Sequence, residues 1–127
     1  MFVYLNLNPG NKIVGDCTVR AISLAMDQSW ADTYADLTMV GRFLYDMPSS
    51  NSVWGEYLLL NGFRRHIIPN TCPACYSVRQ FARDYPVGTF VLATGSHVVT
   101  VIDGNYYDTW DSGDEIPIYY WRKEKQP

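Results

Sequence analysis

The chain has 127 residues, 47% hydrophobic and 15% aromatic, with a formal net charge of −3. That length builds one core and is short for two ordinary domains, and the apolar content excludes a disordered chain, so a single domain over residues 1–127 is expected. Basic residues are dispersed apart from Arg64-Arg65 and the stretch 122–125, which argues against a nucleic-acid surface.

No run approaches membrane-spanning length, and MFVYLNLNPG has neither a basic leader nor a small-residue cleavage site. Cys17, Cys72 and Cys75 are odd in number and lack disulfide-framework spacing, which points to a reducing, cytoplasmic setting with Cys17 a free thiol. Neither a membrane partner nor a cofactor is expected.

Asp16 is placed to cap a helix over about Cys17 to Met26, where Cys17, Ala21 and Leu24 keep helical spacing. Ser29 and Asp32 approximate a capping box for a second helix, with Trp30, Tyr34, Leu37 and Leu44 along one face. A third helix, around Ser52 to Leu60, stops at Asn61-Gly62. Ser77 and Gln80 cap a short fourth one that closes before Pro86. From Gly88 the period becomes that of strands: GTFVLATG, HVVTVIDG, NYYDTWD and EIPIYYW, with Asp103-Gly104 as a tight hairpin. Helices first and antiparallel strands afterwards predict an α+β domain with N-terminal helices packed on a C-terminal antiparallel sheet.

The chemistry-bearing stretch is NKIVGDCTVRAIS. A free cysteine is ordinarily a small buried hydrophobe. At a helix N-terminus, unpaired N–H groups and the helix dipole favour its thiolate instead. Gly15 leaves room there for a substrate backbone.

Of the two histidines, His66 lies beside Arg64 and Arg65, which oppose an imidazolium, whereas His97 opens a strand with carboxylates across the hairpin. With a two-residue loop, Asp108 lies diagonal to His97 at about 7–8 Å between backbones. A three-residue loop would bring Asp111 level instead. A carboxylate on one imidazole nitrogen fixes the tautomer and leaves the other to exchange a proton with the thiol. Asn11, six residues before Cys17, is a candidate oxyanion donor, although NPGNK also reads as a turn. Cys72-Pro-Ala-Cys75 is half a zinc site at most, with His66 as a third ligand. It reads as a turn before the fourth helix, and no metal is expected.

The pattern N-x5-C at the mouth of a helix, then a strand-borne His97 and a following Asp, resembles the papain-like cysteine peptidases. It is most similar to the small domains that trim bacteriocin leaders, in size and in an Asp third member. Asn11 stands where that family has Gln, and Thr18 where an aromatic residue often follows the cysteine. The resemblance covers 11–25 and 88–111. It implies a papain-like fold, Cys17 as nucleophile, His97 as base and then acid, Asp108 as its orienting carboxylate, and Asn11 at the oxyanion. It also implies a peptide or protein substrate cleaved through an acyl-thioester. Two other readings stay open: acyl or amide transfer by the same residues, and a non-enzymatic binding or inhibitory module of a phage or mobile element that keeps the fold.

Overall fold

The computed structural model describes residues 1–124, so Lys125 of the basic stretch lies outside the described residues. Four helices, α1 (Cys17–Met26), α2 (Trp30–Leu44), α3 (Asn51–Leu60) and α4 (Val78–Asp84), accompany six strands. These are β1 (Phe2–Tyr4), β2 (Phe63–Ile67), β3 (Thr89–Ala93), β4 (Val98–Ile102), β5 (Asn105–Asp108) and β6 (Tyr119–Lys123). All six form one sheet in the order β1-β5-β4-β3-β6-β2. The expected α+β class holds.

The all-C-terminal, antiparallel sheet needs correction. β1 pairs parallel with β5, and β2 pairs antiparallel with β6, so two strands from the helical part of the chain supply both sheet edges. The local pattern hides them. FVY is three residues long, and FRRHI carries adjacent exposed arginines, the charged signature of a protected edge rather than of a buried strand. The strand expected over EIPIYYW begins only at Tyr119.

Helix starts and stops follow the sequence closely. Ser29 Oγ accepts from the Asp32 N–H at 3.0 Å, and Ser77 with Gln80 forms a complete capping box. The β4–β5 turn is the two-residue one, with Ile102 opposite Asn105 and with Asp103 and Gly104 at φ 49° and 83°.

Apolar side chains pack on both sides of the sheet. Ile22, Leu37, Trp54, Leu58, Val91 and Trp121 join α1, α2 and α3 to one face. Val78, Phe81, Phe90, Leu92, Val101 and Tyr106 join α4 to the other. Two contacts set the helices that matter below. Thr100 Oγ1 in β4 donates to the Ala21 carbonyl at 2.6 Å, locking α1 onto the sheet centre. Gly55 lets α3 approach Trp121, where a Cβ would stand 3.1 Å from the indole.

Candidate active site

Cys17 is the first residue of α1, half-buried, with Asp16 ahead of it as N-cap. The Asp16 carboxylate does not cap the helix, because it accepts from Arg20 Nε at 2.7 Å, Trp30 Nε1 at 3.0 Å and Asn8 Nδ2 at 3.1 Å. The first N–H groups of α1 therefore keep their hydrogen-bonding capacity and their partial positive charge beside the thiol.

His97 sits one residue before β4, in the β3–β4 turn, where its carbonyl accepts from the Thr94 N–H at 2.8 Å. Its Nε2 meets Asp108 Oδ2 at 2.6 Å. That commits Nε2 to the carboxylate and leaves Nδ1 available to a second partner; Cys17 lines the same cleft as His97, and each shifts the other's pKa. Trp110 tilts against the imidazole with ring centres 4.9 Å apart, walling its outer side.

Asp108 is 1% exposed and densely bonded. Ser112 Oγ donates to Oδ2 at 2.8 Å, while Arg20 Nη1 and the Thr109 N–H donate to Oδ1 at 3.1 and 2.9 Å. Its backbone is pinned by β1, through the Tyr4–Asp108 register and a 3.0 Å bond from the Leu5 N–H to the Asp108 carbonyl. Arg20 thus links the two aspartates, and a continuous line of bonded groups runs Asp16, Arg20, Asp108, His97, ending at the ring that shares a cleft with Cys17.

The electrostatics follow from that line. Burial pushes the Cys17 thiol up, but hydrogen bonds from His97 and the Val98 backbone outweigh it, and its pKa falls below the ordinary thiol value. Burial disfavours charge on His97, yet the Asp108 and Cys17 hydrogen bonds prevail and push its pKa up to about 9. Asp108 is depressed in turn, its desolvation overcome by His97, Ser112 and Arg20. Both shifts favour the thiolate–imidazolium pair over the neutral pair.

A cleft of about 240 Å³ opens over this pair, lined by Gly15 and Cys17 of the α1 mouth, Ser96 and His97 of the β3–β4 turn, and Ser49 and Asn51 at the start of α3. A Cβ at Gly15 would meet nothing within 4 Å.

The structure brings Cys17, His97 and Asp108 together, and of the two carboxylates it is Asp108 that reaches the ring. Asp111 turns away, accepting from Tyr106 Oη at 2.6 Å and the Gly113 N–H at 3.0 Å. Asn11 is not brought in. It is exposed at φ 52°, its N–H donates to the Asn8 carbonyl, and it is absent from the cleft lining. The loop closes on Asn8, whose Oδ1 accepts from the Gly10 N–H, so Asn11 serves as the left-handed turn residue. Cys72 and Cys75, read as a turn without disulfide-framework spacing, form a disulfide, and no metal-ligand cluster occurs among the described residues. No helix among the described residues is long and apolar enough to cross a membrane.

Arg20 and Asn51 are the site residues that motif reading misses. Arg20 carried a signal, the i, i+4 spacing to Asp16. Asn51 lies 34 positions beyond Cys17 on a separate helix and carried none.

Comparison with protein-family models, curated proteins and solved structures returned no match.

Proposed function

We propose that this protein is a thiol hydrolase of papain-like architecture, acting on a peptide or related amide bond. The observation carrying this reading is the His97 Nε2 to Asp108 Oδ2 bond of 2.6 Å, made by a carboxylate that three further donors hold in place and by an imidazole that lines the same cleft as the helix-start thiol. A buried histidine that merely needed satisfying would have no use for a cysteine with a lowered pKa in an open cleft.

In the proposed reaction the Cys17 thiolate attacks the substrate carbonyl carbon. The S–C bond forms as the C=O π pair moves to oxygen. His97 Nδ1 gives its proton to the leaving nitrogen as the C–N bond breaks, producing an acyl-thioester and a free amine. Neutral His97 then takes a proton from water, the hydroxide attacks the thioester, and the thiolate leaves with His97 again protonated. Asp108 stays ionised throughout, holding the ring and stabilising its charge. The peptidase-like substrate class rests on the likeness to papain-like enzymes at Cys17, His97 and Asp108.

The test is the pH dependence of Cys17 alkylation by iodoacetamide, mapped by mass spectrometry. The wild-type rate should rise well below the pH at which an ordinary thiol ionises and hold its level towards pH 9, where His97 loses its proton. His97→Ala should move the rise upward in pH. A wild-type profile matching a free thiol would overturn the proposal.

A further inference from the structure

The reaction proposed above needs a donor for the oxyanion, and the position expected to supply it, Asn11, lies outside the cleft. We infer that Asn51 is the side-chain oxyanion donor, acting with the open backbone N–H groups at the start of α1. This rests on the hydrolase reading and adds a residue that the Cys17 motif does not contain.

Asn51 is the first residue of α3 and lines the same cleft as Cys17 and His97. Its amide orientation is determined by chemistry. The indole Nε1 of Trp54 can only donate, and it stands 3.0 Å from the side-chain oxygen of Asn51. The oxygen is therefore occupied and the NH2 group is the end left to a ligand. Trp54 is completely buried, stacked on Tyr119 and edge-on to Trp121, so it is a rigid anchor for the amide. A preorganised donor of this kind needs no rearrangement as negative charge develops.

The surroundings agree with that assignment. Asp16 leaves the α1 N–H groups uncapped, as described. Ser50, the N-cap of α3, likewise makes no side-chain cap, because its hydroxyl donates to Asp46 Oδ1 at 2.7 Å. The starts of both helices thus line one cleft, and neither is capped by its N-cap side chain, so both ends lend it partial positive charge. His97 occupies the third side and serves the leaving group.

The experiment compares two reactions of Cys17 that share the thiolate but differ in needing an oxyanion donor. Iodoacetamide alkylates by displacement at a saturated carbon and forms no oxyanion. p-Nitrophenyl acetate acylates through a tetrahedral adduct, in which the S–C bond forms, the oxyanion appears, and p-nitrophenolate departs. The ratio of acylation to alkylation rates should fall about 10²-fold in Asn51→Ala. Asn51→Asp retains an acceptor for Trp54 but loses the NH2 donor. It guards against misfolding of the alanine variant and should show the same fall in the ratio, because any shift in thiolate population cancels. A ratio unchanged within about threefold in the folded variant would overturn the assignment while wild-type acylation stands. Failure of wild-type Cys17 to acquire an acetyl group would instead overturn the hydrolase reading, and the role of Asn51 with it.

Discussion

His66 and His97 each meet a carboxylate, at 3.2 Å to Glu124 and 2.6 Å to Asp108. The first pair lies on the edge strand β2 and just past β6, with side chains 41% and 44% exposed; the second has 9% and 1% exposed. Glu124 has water for its remaining lone pairs, whereas Asp108 has Arg20, Ser112 and the Thr109 N–H. Proximity of an imidazole to a carboxylate is thus common to both. What separates them is desolvation compensated by additional hydrogen bonds, which turns contact into a held geometry.

The largest way to break this contrast is at Asp108. Asp108→Asn cannot balance an imidazolium, and the side-chain NH2 facing Nε2 disfavours the tautomer that serves the thiol. Acylation of Cys17 by p-nitrophenyl acetate at neutral pH is expected to fall by about 10²–10⁴-fold. Asp111→Asn, three residues on but bonded to Tyr106, should change the same rate less than about threefold. Equal effects of the two substitutions would show that the carboxylate's place in the network is irrelevant.

Arg20 sharpens the contrast through stability. It pairs with Asp16 at 2.7 Å and Asp108 at 3.1 Å, all three groups largely buried. Removing one partner of a buried ion pair leaves uncompensated charge, so Arg20→Gln should lower unfolding free energy by about 3 kcal/mol in denaturant titration at pH 7. The sign of the pH dependence follows from the shifts. Asp16 and Asp108 are depressed, desolvation being outweighed by their hydrogen bonds, so their contribution is present above the unfolded carboxylate value and lost as pH falls through the folded ones. The gap between wild type and Arg20→Gln should therefore narrow in acid. His97 behaves oppositely: its contribution is full below the ordinary imidazole value and lost as pH rises through about 9.

Much of this was readable from residue order. Asp16 before Cys17, Ser77 with Gln80, and Asp103-Gly104 are local signals, and helix starts and hairpin register are local events. The turn alone selected Asp108 over Asp111. What stayed hidden depends on contacts distant in sequence. β1 has only three residues, yet it is what pins the Asp108 backbone, through a parallel pairing with no local signature. Asn51 reaches the cleft because Gly55 admits Trp121 and Trp54 anchors α3, neither of which a motif records. Asn11 misled for a related reason: six-residue spacing to a cysteine says nothing of whether the intervening loop closes on itself, and Asn8 closes it.

The smallest expected effect is at the exposed pair. Glu124→Gln keeps the side-chain length and an acceptor for His66 while removing the charge. The Coulomb attraction of that pair acts through water and is screened at physiological salt over a Debye length of about 8 Å. Exposed pairs of this kind contribute about 0–1 kcal/mol, and the backbone ladder between β2 and β6 and the stacking of His66 on Tyr120 remain. Unfolding free energy should change by less than about 0.5 kcal/mol, and Cys17 alkylation should be unaffected. A loss approaching that of Arg20→Gln, or one that persists in high salt, would mean that exposure does not separate the two histidine–carboxylate pairs. The held geometry at His97 would then need a cause other than burial.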